Sequence, residues 1–211
     1  MTIKRSSLCS LAQWGAFLLL APAAFAQSSV VRSGSVEVGG FIGASYGIDK
    51  FRVMGGGNVT YALKNRYVLP YFEVSYFPGL PHTYTNNGSI SNYSTGLTDV
   101  HGGVHVRLPV FKEKPLVPYL VFGVGELHYS ATNGTITAPA TMFNPNPSPT
   151  PTLFPAATSF AINGGGGLRL YLGGSGRVGF RAEAKVYKAT SSAFGLATFG
   201  KVEAGFFFQF H

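Results

Sequence analysis

The chain has 211 residues, carries a formal net charge of +8, and only 11% of it is charged. Soluble domains average about 25% charged residues, so this composition is poorly suited to covering the surface of a secreted soluble domain. After residue 26 nothing approaches 18 consecutive apolar residues, which excludes membrane-spanning helices as well.

At the start of the chain, Lys4 and Arg5 precede an apolar run from Trp14 that closes on Ala24-Phe25-Ala26. This is the pattern of a secretory leader, with cleavage after Ala26 leaving Gln27 as the new N-terminus. The apolar run is about 13 residues, short of the roughly 20 that a spanning helix requires. The expected division is residues 1–26 as leader and 27–211 as one domain. Cys9 and Trp14, the sole residues of their kinds, leave with the leader, so no disulfide or thiol chemistry is expected. Cys9 also lies before the apolar run, where a lipidated cysteine would follow it. Without Lys4 and Arg5 the net charge falls to +6.

With helical spans excluded, the remaining way across a bilayer is a closed β-barrel, marked by segments of about ten alternating residues separated by turns. Eight such segments follow in order. The first, SVEVGGFIGASY, sets Val36, Val38, Ile42, Ala44 and Tyr46 on one face and Glu37, Phe41 and Ser45 on the other. The second, from Phe51 to Leu63, has Arg52, Asn58 and Thr60 on its polar side. The third, YVLPYFEVSYF, sets Val68, Phe72, Val74 and Tyr76 against Glu73 and Ser75. In the fourth, TDVHGGVHVRL, Val100, Val104, Val106 and Leu108 oppose Asp99, His101, His105 and Arg107. The fifth, from about Leu116 to Ser130, carries Glu126 and His128. The sixth and seventh form a hairpin hinged on Gly173-Gly174-Ser175-Gly176. The eighth, KVEAGFFFQFH, puts Val202, Ala204, Phe206, Phe208 and Phe210 on one face and Lys201, Glu203 and Gln209 on the other.

The expected fold is an all-β, eight-stranded antiparallel up-and-down transmembrane barrel. Short links around residues 64–66, 110–115 and 173–176 alternate with long connections at 78–93 and 131–158, as periplasmic turns alternate with extracellular loops, although the connections after the first and seventh segments are shorter than that pattern predicts. The Pro- and Thr-rich stretch 131–158 reads as a flexible surface loop.

Assigning each strand charge to a face places Glu37, Glu73, Asp99, Glu126, Glu183 and Glu203 together with Arg52, Arg107, Arg169, Arg181, Lys185 and Lys201. A lipid-facing Arg or Lys at the bilayer midplane costs about 2–4 kcal/mol, so this face is expected to point inward. An eight-stranded barrel is just wide enough for side chains to fill it, which predicts a charged plug and no open pore. Arg181, Glu183 and Lys185 are expected to mesh with Lys201 and Glu203, and with Glu37 across the closing seam. The excess positive charge, Arg32, Lys64, Arg66, Lys112, Lys114 and Arg177, gathers at the periplasmic rim beside Glu113. No interleaved aromatic and basic spacing indicates a nucleic-acid surface.

The mature chain resembles the small eight-stranded outer-membrane barrels of the outer-membrane protein A and X or opacity-protein type. Three stretches carry the resemblance: the alternating aromatics Phe206, Phe208 and Phe210, the segment PYLVFGVGELHY, and the hairpin ending in Arg181-x-Glu183. The resemblance implies a porin-like fold in the outer membrane of a Gram-negative envelope, with phospholipid and lipopolysaccharide as neighbours. It also implies that the terminal aromatics are read by the barrel-assembly machinery. His211 departs from the family's pattern, which ends on the aromatic itself. No peptidoglycan-binding domain follows, so no cell-wall tether is implied.

Other chemistry is weakly supported. GLATFGKV, residues 195–202, nearly matches a phosphate-binding loop but has Val202 where the hydroxyl must stand. Gly164 to Gly167 lack the third glycine and following helix of a dinucleotide site and are read as close-packing positions. His101 and His105 sit four residues apart, about 13 Å on a strand, too far to share one metal ion. The best catalytic candidates are Glu126, His128 and Ser130, which resemble the His-x-Ser pair of barrel lipid A deacylases. The expected Asn after the Ser is absent, and the inward face assignment points the group away from lipid. The expectation is therefore a non-enzymatic barrel with no metal and no cofactor, whose role is envelope structure or surface interaction through loops of unidentified ligand. The alternatives are an outer-membrane lipid-modifying enzyme and a soluble lipocalin-like carrier with the faces reversed.

Overall fold

The computed structural model describes residues 33–47, 51–110, 115–172, 177–190 and 198–210. It contains ten strands: β1 Val36–Tyr46, β2 Phe51–Tyr61, β3 Val68–Asn86, β4 Ser89–Arg107, β5 Leu116–Tyr129, β6 Thr132–Thr137, β7 Thr150–Phe154, β8 Ala157–Leu172, β9 Val178–Ala189 and β10 Thr198–Phe210. Eight of them close a ring. β1 pairs with β2, β2 with β3, β3 with β4, β4 with β5, β5 with β8, β8 with β9, β9 with β10, and β10 returns to β1. Every pairing is antiparallel, and the first and last strands meet with Val36 opposite Phe210 and Tyr46 opposite Gly200. Closure leaves the barrel no open edge, the condition for a sheet surrounded by hydrocarbon.

The alternation read from sequence is the alternation of burial. On β1 Glu37, Phe41 and Ser45 are buried while Ile42 is 73% exposed. On β10 Lys201, Glu203 and Gln209 are buried, and Phe206, Phe208 and Phe210 are exposed. The same division holds for Glu73 and Ser75 against Phe72, Val74 and Tyr76 on β3. A fold with charge inside and large apolar side chains outside is inverted relative to a soluble domain.

The interior is layered. At the end of the barrel where the chain enters β1 and leaves β10, Ala62, Leu69, Val117, Tyr171 and Phe207 pack together. At the opposite end Phe77, Leu97, Leu127, Tyr129, Tyr187 and Phe199 form a larger apolar layer. The buried charges lie between them. Two inward glycines make this filling possible. A Cβ on Gly167 would lie 2.6 Å from the Tyr119 ring, and one on Gly123 would lie 2.2 Å from the Tyr71 hydroxyl. Within the run Gly164 to Gly167, Gly165 and Gly167 face in and are crowded, whereas a Cβ on outward Gly164 would meet nothing nearer than 3.9 Å.

The structure corrects the expected long loops. β3 and β4 run past the barrel to a tight turn at Asn87-Gly88, whose φ values of 47° and 80° suit a two-residue hairpin. The extension begins at a register shift between Phe77 and Leu80. The stretch expected as a flexible loop supplies β6 and β7. β6 adds to β4 through Ile90–Thr137 to Tyr93–Gly134 pairing, and β7 adds to β6. The outer parts of β3 and β4 thus join β6 and β7 in a four-stranded sheet. Side-chain packing on this sheet is modest: Phe154 lies against Tyr93 with ring centroids 4.6 Å apart, and Gly134 leaves the space for that ring. Backbone ladders hold these strands where a hydrophobic core does not.

Candidate functional site

The barrel interior concentrates most of the chemistry. Glu73, reaching in from β3, is the hub. Its Oε1 lies 2.7 Å from Lys185 Nζ and 2.7 Å from Lys201 Nζ, and its Oε2 lies 3.4 Å from Arg181. Glu203 accepts from Arg181 at 2.8 Å and lies 3.2 Å from Lys201. Glu183 sits 2.7 Å from Lys185. Lys201 also donates to Asp99 at 3.1 Å, so one ammonium, which has only donors, serves three carboxylates. Asp99 is further held by Ser75 at 3.0 Å, by the Tyr187 hydroxyl at 3.2 Å and by the His101 ring.

A second cluster lies toward the terminus end. Arg169 pairs with Glu37 at 3.1 Å and approaches the His105 ring at 2.7 Å, while the Tyr171 hydroxyl donates to Glu37 at 2.6 Å. Tyr119 links the clusters by donating to Glu183 at 2.6 Å, with the Arg169 guanidinium 4.4 Å above its ring. Arg107 caps the base by donating to the Arg66 carbonyl at 2.8 Å.

Among the sequence-predicted interior residues, Glu37, Glu73, Asp99, Arg107, Arg169, Arg181, Glu183, Lys185, Lys201 and Glu203 are all 4% exposed or less. Two expectations need correction. Glu37 joins β8 through Arg169 and Tyr171, not the β9 charges. Glu126 is exposed on the outer face of β5, where Leu127 and Tyr129 take the inward positions. The inward expectation followed the charge alone, whereas the alternation of β5, with Val121 and Leu127 buried and Phe122 and Val124 exposed, puts Glu126 on the outer face near the far end of the strand. The side chain of Arg52, the cleavage residues Ala24, Ala26 and Gln27, and the rim residues Arg32, Lys112, Glu113 and Lys114 lie outside the described residues.

The tyrosines that bind the network, Tyr119, Tyr171 and Tyr187, were not singled out from sequence, although two share parity with a neighbouring inward charge: Tyr171 with Arg169, Tyr187 with Lys185. Glu73, Glu183 and Glu203 bring carboxylate oxygens within 4.8 Å of one another, a spacing that a metal ion could bridge. Lys185 Nζ already stands among all three, at 2.7, 2.7 and 3.4 Å, so the ammonium takes the place a cation would fill. His101 and His105 turn to different partners, His101 to Asp99 and the edge of Tyr187, His105 to a stack on Tyr71 at 4.3 Å.

The candidate catalytic group is likewise placed outward. His128 is exposed, and its Nδ1 lies 2.9 Å from Thr158 Oγ1. Ser130 is held through its backbone, its N–H donating to the Gly96 carbonyl at 3.0 Å and its carbonyl accepting from Thr95 at 2.6 Å.

No family model and no curated protein matches the chain. Solved structures do. A major outer membrane protein from Thermus thermophilus superposes with a TM-score of 0.57 at 11% identity, covering 85% of this chain and 100% of its own. Neisserial surface protein A gives 0.50 at 10% identity, covering 83% of this chain and 96% of its own. The chain has the fold of the small eight-stranded outer-membrane barrels. At such identities the likeness concerns the fold, and the function has to be argued from the residues themselves.

Proposed function

We propose that the chain is a bacterial outer-membrane barrel with a structural or surface-interaction role and no enzyme activity, its interior plugged by the charged network. The observation that carries this reading is the inversion of burial. Val202, Phe206, Phe208 and Phe210 are more than half exposed beside Lys201 and Glu203, which are nearly wholly buried. Only a hydrocarbon surround makes that arrangement favourable at about 25 cal/mol per Å² of apolar surface. A soluble ligand carrier would need the opposite faces.

In this reading the leader delivers the chain across the inner membrane and is removed after Ala26, and the assembly machinery reads Phe206, Phe208 and Phe210. The termini face the periplasm, and the β3, β4, β6 and β7 sheet projects from the cell. Apolar layers above and below the ion pairs favour a sealed barrel. Fractionation should place the protein in the outer membrane, with an unheated gel band that migrates differently from the boiled form. Reconstituted protein should show no large stable conductance. Recovery in the soluble periplasm would reject the membrane reading, and a wide, persistent pore would reject the plug.

The outward position of His128, beside a threonine hydroxyl, favours a second reading as a lipid-modifying enzyme. Acyl transfer requires a base, a nucleophile and an oxyanion site in alignment. Loss of lipid deacylation in Ser130→Ala, where the parent protein is active, would establish this reading in place of the first.

A further inference from the structure

Three asparagine-glycine pairs occur in the chain, at Asn87-Gly88, Asn133-Gly134 and Asn163-Gly164. The dipeptide carries chemistry of its own. A backbone nitrogen that follows an asparagine can attack the side-chain carbonyl and close a five-membered ring, and glycine, having no Cβ, obstructs that approach least. Reaction then depends on whether the glycine nitrogen is unengaged and whether the chain can bend to bring it to Cγ.

The fold treats the three pairs differently. Gly134 lies in β6 between Tyr93 of β4 and Thr152 of β7, and Gly164 lies in β8 between Phe122 of β5 and Val186 of β9. Both are flanked by ladders on two sides, which hold the backbone N–H and keep the chain extended. Asn163 is also buried, its side-chain oxygen accepting from the Tyr71 hydroxyl at 3.3 Å. Asn87-Gly88 stands outside the ladder, which ends with Asn86 opposite Ser89. Both turn residues are exposed, and among the described residues no backbone carbonyl accepts from the Gly88 nitrogen.

We propose that Asn87 is a self-modifying site that converts, in the folded protein, to aspartyl and β-aspartyl linkages through a cyclic imide. The Gly88 nitrogen gives its proton to water or hydroxide and forms a bond to Asn87 Cγ. The bond from Cγ to the side-chain nitrogen breaks, and that nitrogen leaves as ammonia. Water then opens the ring. Attack at Cγ restores the ordinary backbone with an aspartate side chain, and attack at the α-carbonyl leaves the chain running through Cβ and Cγ. Either product carries a carboxylate, and no oxidant or cofactor takes part.

The position gives the change its consequence. Residues 78–98 and 131–158 hold no Asp, Glu, Lys or Arg, so the product is the first carboxylate on the projecting sheet. The β-aspartyl form also adds a carbon to the backbone of a two-residue turn. A Cβ on Gly88 would lie 3.2 Å from Pro139, so this turn rests against the segment that leads to Met142 and Phe143. The far end of the sheet therefore gains charge and changes shape as the molecule ages, while the barrel is untouched. The inference does not depend on what surrounds the barrel wall.

Intact mass and peptide mapping of folded protein in detergent, incubated in neutral and in mildly alkaline buffer, test the proposal. A β-aspartyl methyltransferase with a labelled methyl donor scores the β-aspartyl form, and the heat-shifted gel band confirms that the barrel stays folded. The peptide holding Asn87 should gain about one dalton, faster in alkali, and should take up label. Conversion there should be at least about tenfold faster than at Asn133 or Asn163, because an exposed turn opens far more readily than a paired strand. Unfolding in guanidinium chloride should bring the three sites within about threefold of one another. Asn87→Gly keeps a pair suited to the turn and should abolish both the mass gain and the label at this peptide. Equal rates at the three sites in the folded protein would overturn the proposal. So would an Asn87 peptide that keeps its mass over the time in which the unfolded chain is converted.

Discussion

Replacing Lys201 with methionine tests the charged interior most directly. Its ammonium lies 2.7 Å from Glu73, 3.1 Å from Asp99 and 3.2 Å from Glu203, and its side chain is fully buried. Methionine keeps the length of the stem and removes the charge, so the perturbation is electrostatic with little change in packing. Removing one partner of a buried ion pair costs about 3–5 kcal/mol, because the charge left behind has neither water nor a counter-ion. Here each acid retains another partner. Glu73 keeps Lys185 at 2.7 Å, Glu203 keeps Arg181 at 2.8 Å, and Asp99 keeps Ser75, Tyr187 and His101. The expected loss is therefore near the lower end, about 3 kcal/mol.

The readout is urea unfolding in detergent or lipid, with the folded fraction taken from the heat-shifted band and stability from linear extrapolation. The double variant Lys201→Met with Asp99→Asn removes one charge of each sign and should regain about 1–2 kcal/mol relative to Lys201→Met alone. A Lys201→Met protein within about 1 kcal/mol of the parent would mean that the interior is hydrated well enough to need no pairing, and the plug reading would fail.

Gly167→Leu should destabilise the barrel by about 1–3 kcal/mol in the same assay, because the new side chain meets the Tyr119 ring, whereas Gly164→Ala on the outer face should be neutral. Gly88→Ala, at a φ of 80°, should cost about 1 kcal/mol locally. It should speed chymotrypsin cleavage at Tyr84 and Tyr93 while the heat-shifted band of the barrel persists; equal cleavage of both proteins would show that the hairpin is not ordered by its turn. Replacing Phe206, Phe208 and Phe210 together with serine should deplete the protein from the outer membrane of expressing cells, and undiminished insertion would remove these residues as an assembly signal.

Parity was legible in the sequence because a strand repeats every two residues, and one charge among apolar neighbours fixes which face is which. Thus Glu73 and Ser75 against Phe72 and Val74 sufficed for β3. Glu126 was misplaced because its charge was allowed to set the face against the alternation of β5, in which Val121 and Leu127 point inward and Phe122 and Val124 outward. The projecting sheet was missed for a different reason. Residues 131–158 lack the material of a core, but β6 and β7 are held by ladder bonds to β4, which no local pattern encodes. Asn87-Gly88 occupies the turn between β3 and β4, but the same dipeptide at Asn133-Gly134 and Asn163-Gly164 lies within β6 and β8, so the pair alone did not separate a hairpin from the long loop expected over 78–93. The pairing of Glu73 with Lys185 and Lys201, more than a hundred residues away, follows from closure of the ring.

The distribution of charge gives the outer sheet a testable character. Residues 78–98 and 131–158 contain no Asp, Glu, Lys or Arg, although Tyr, Asn, Ser and Thr abound. At the tip, a turn closed by reciprocal backbone bonds between Thr141 and Asn144 presents Met142 and Phe143, 93% and 97% exposed. With ten ionic side chains committed to the interior and none on residues 78–98 or 131–158, the chain leaves the projecting surface without charges of its own to steer charged partners. Neutral association runs at about 10⁵–10⁶ M⁻¹s⁻¹ and is insensitive to salt, whereas steered association falls steeply as ionic strength rises. The capture rate of immobilised protein for whatever it binds should therefore be the same in dilute and concentrated sodium chloride. A rate that drops severalfold with salt would place the contact off this sheet, at exposed charges of the barrel wall such as Lys188 and Glu126 or at Lys64, Arg66 and Arg177 of the opposite rim.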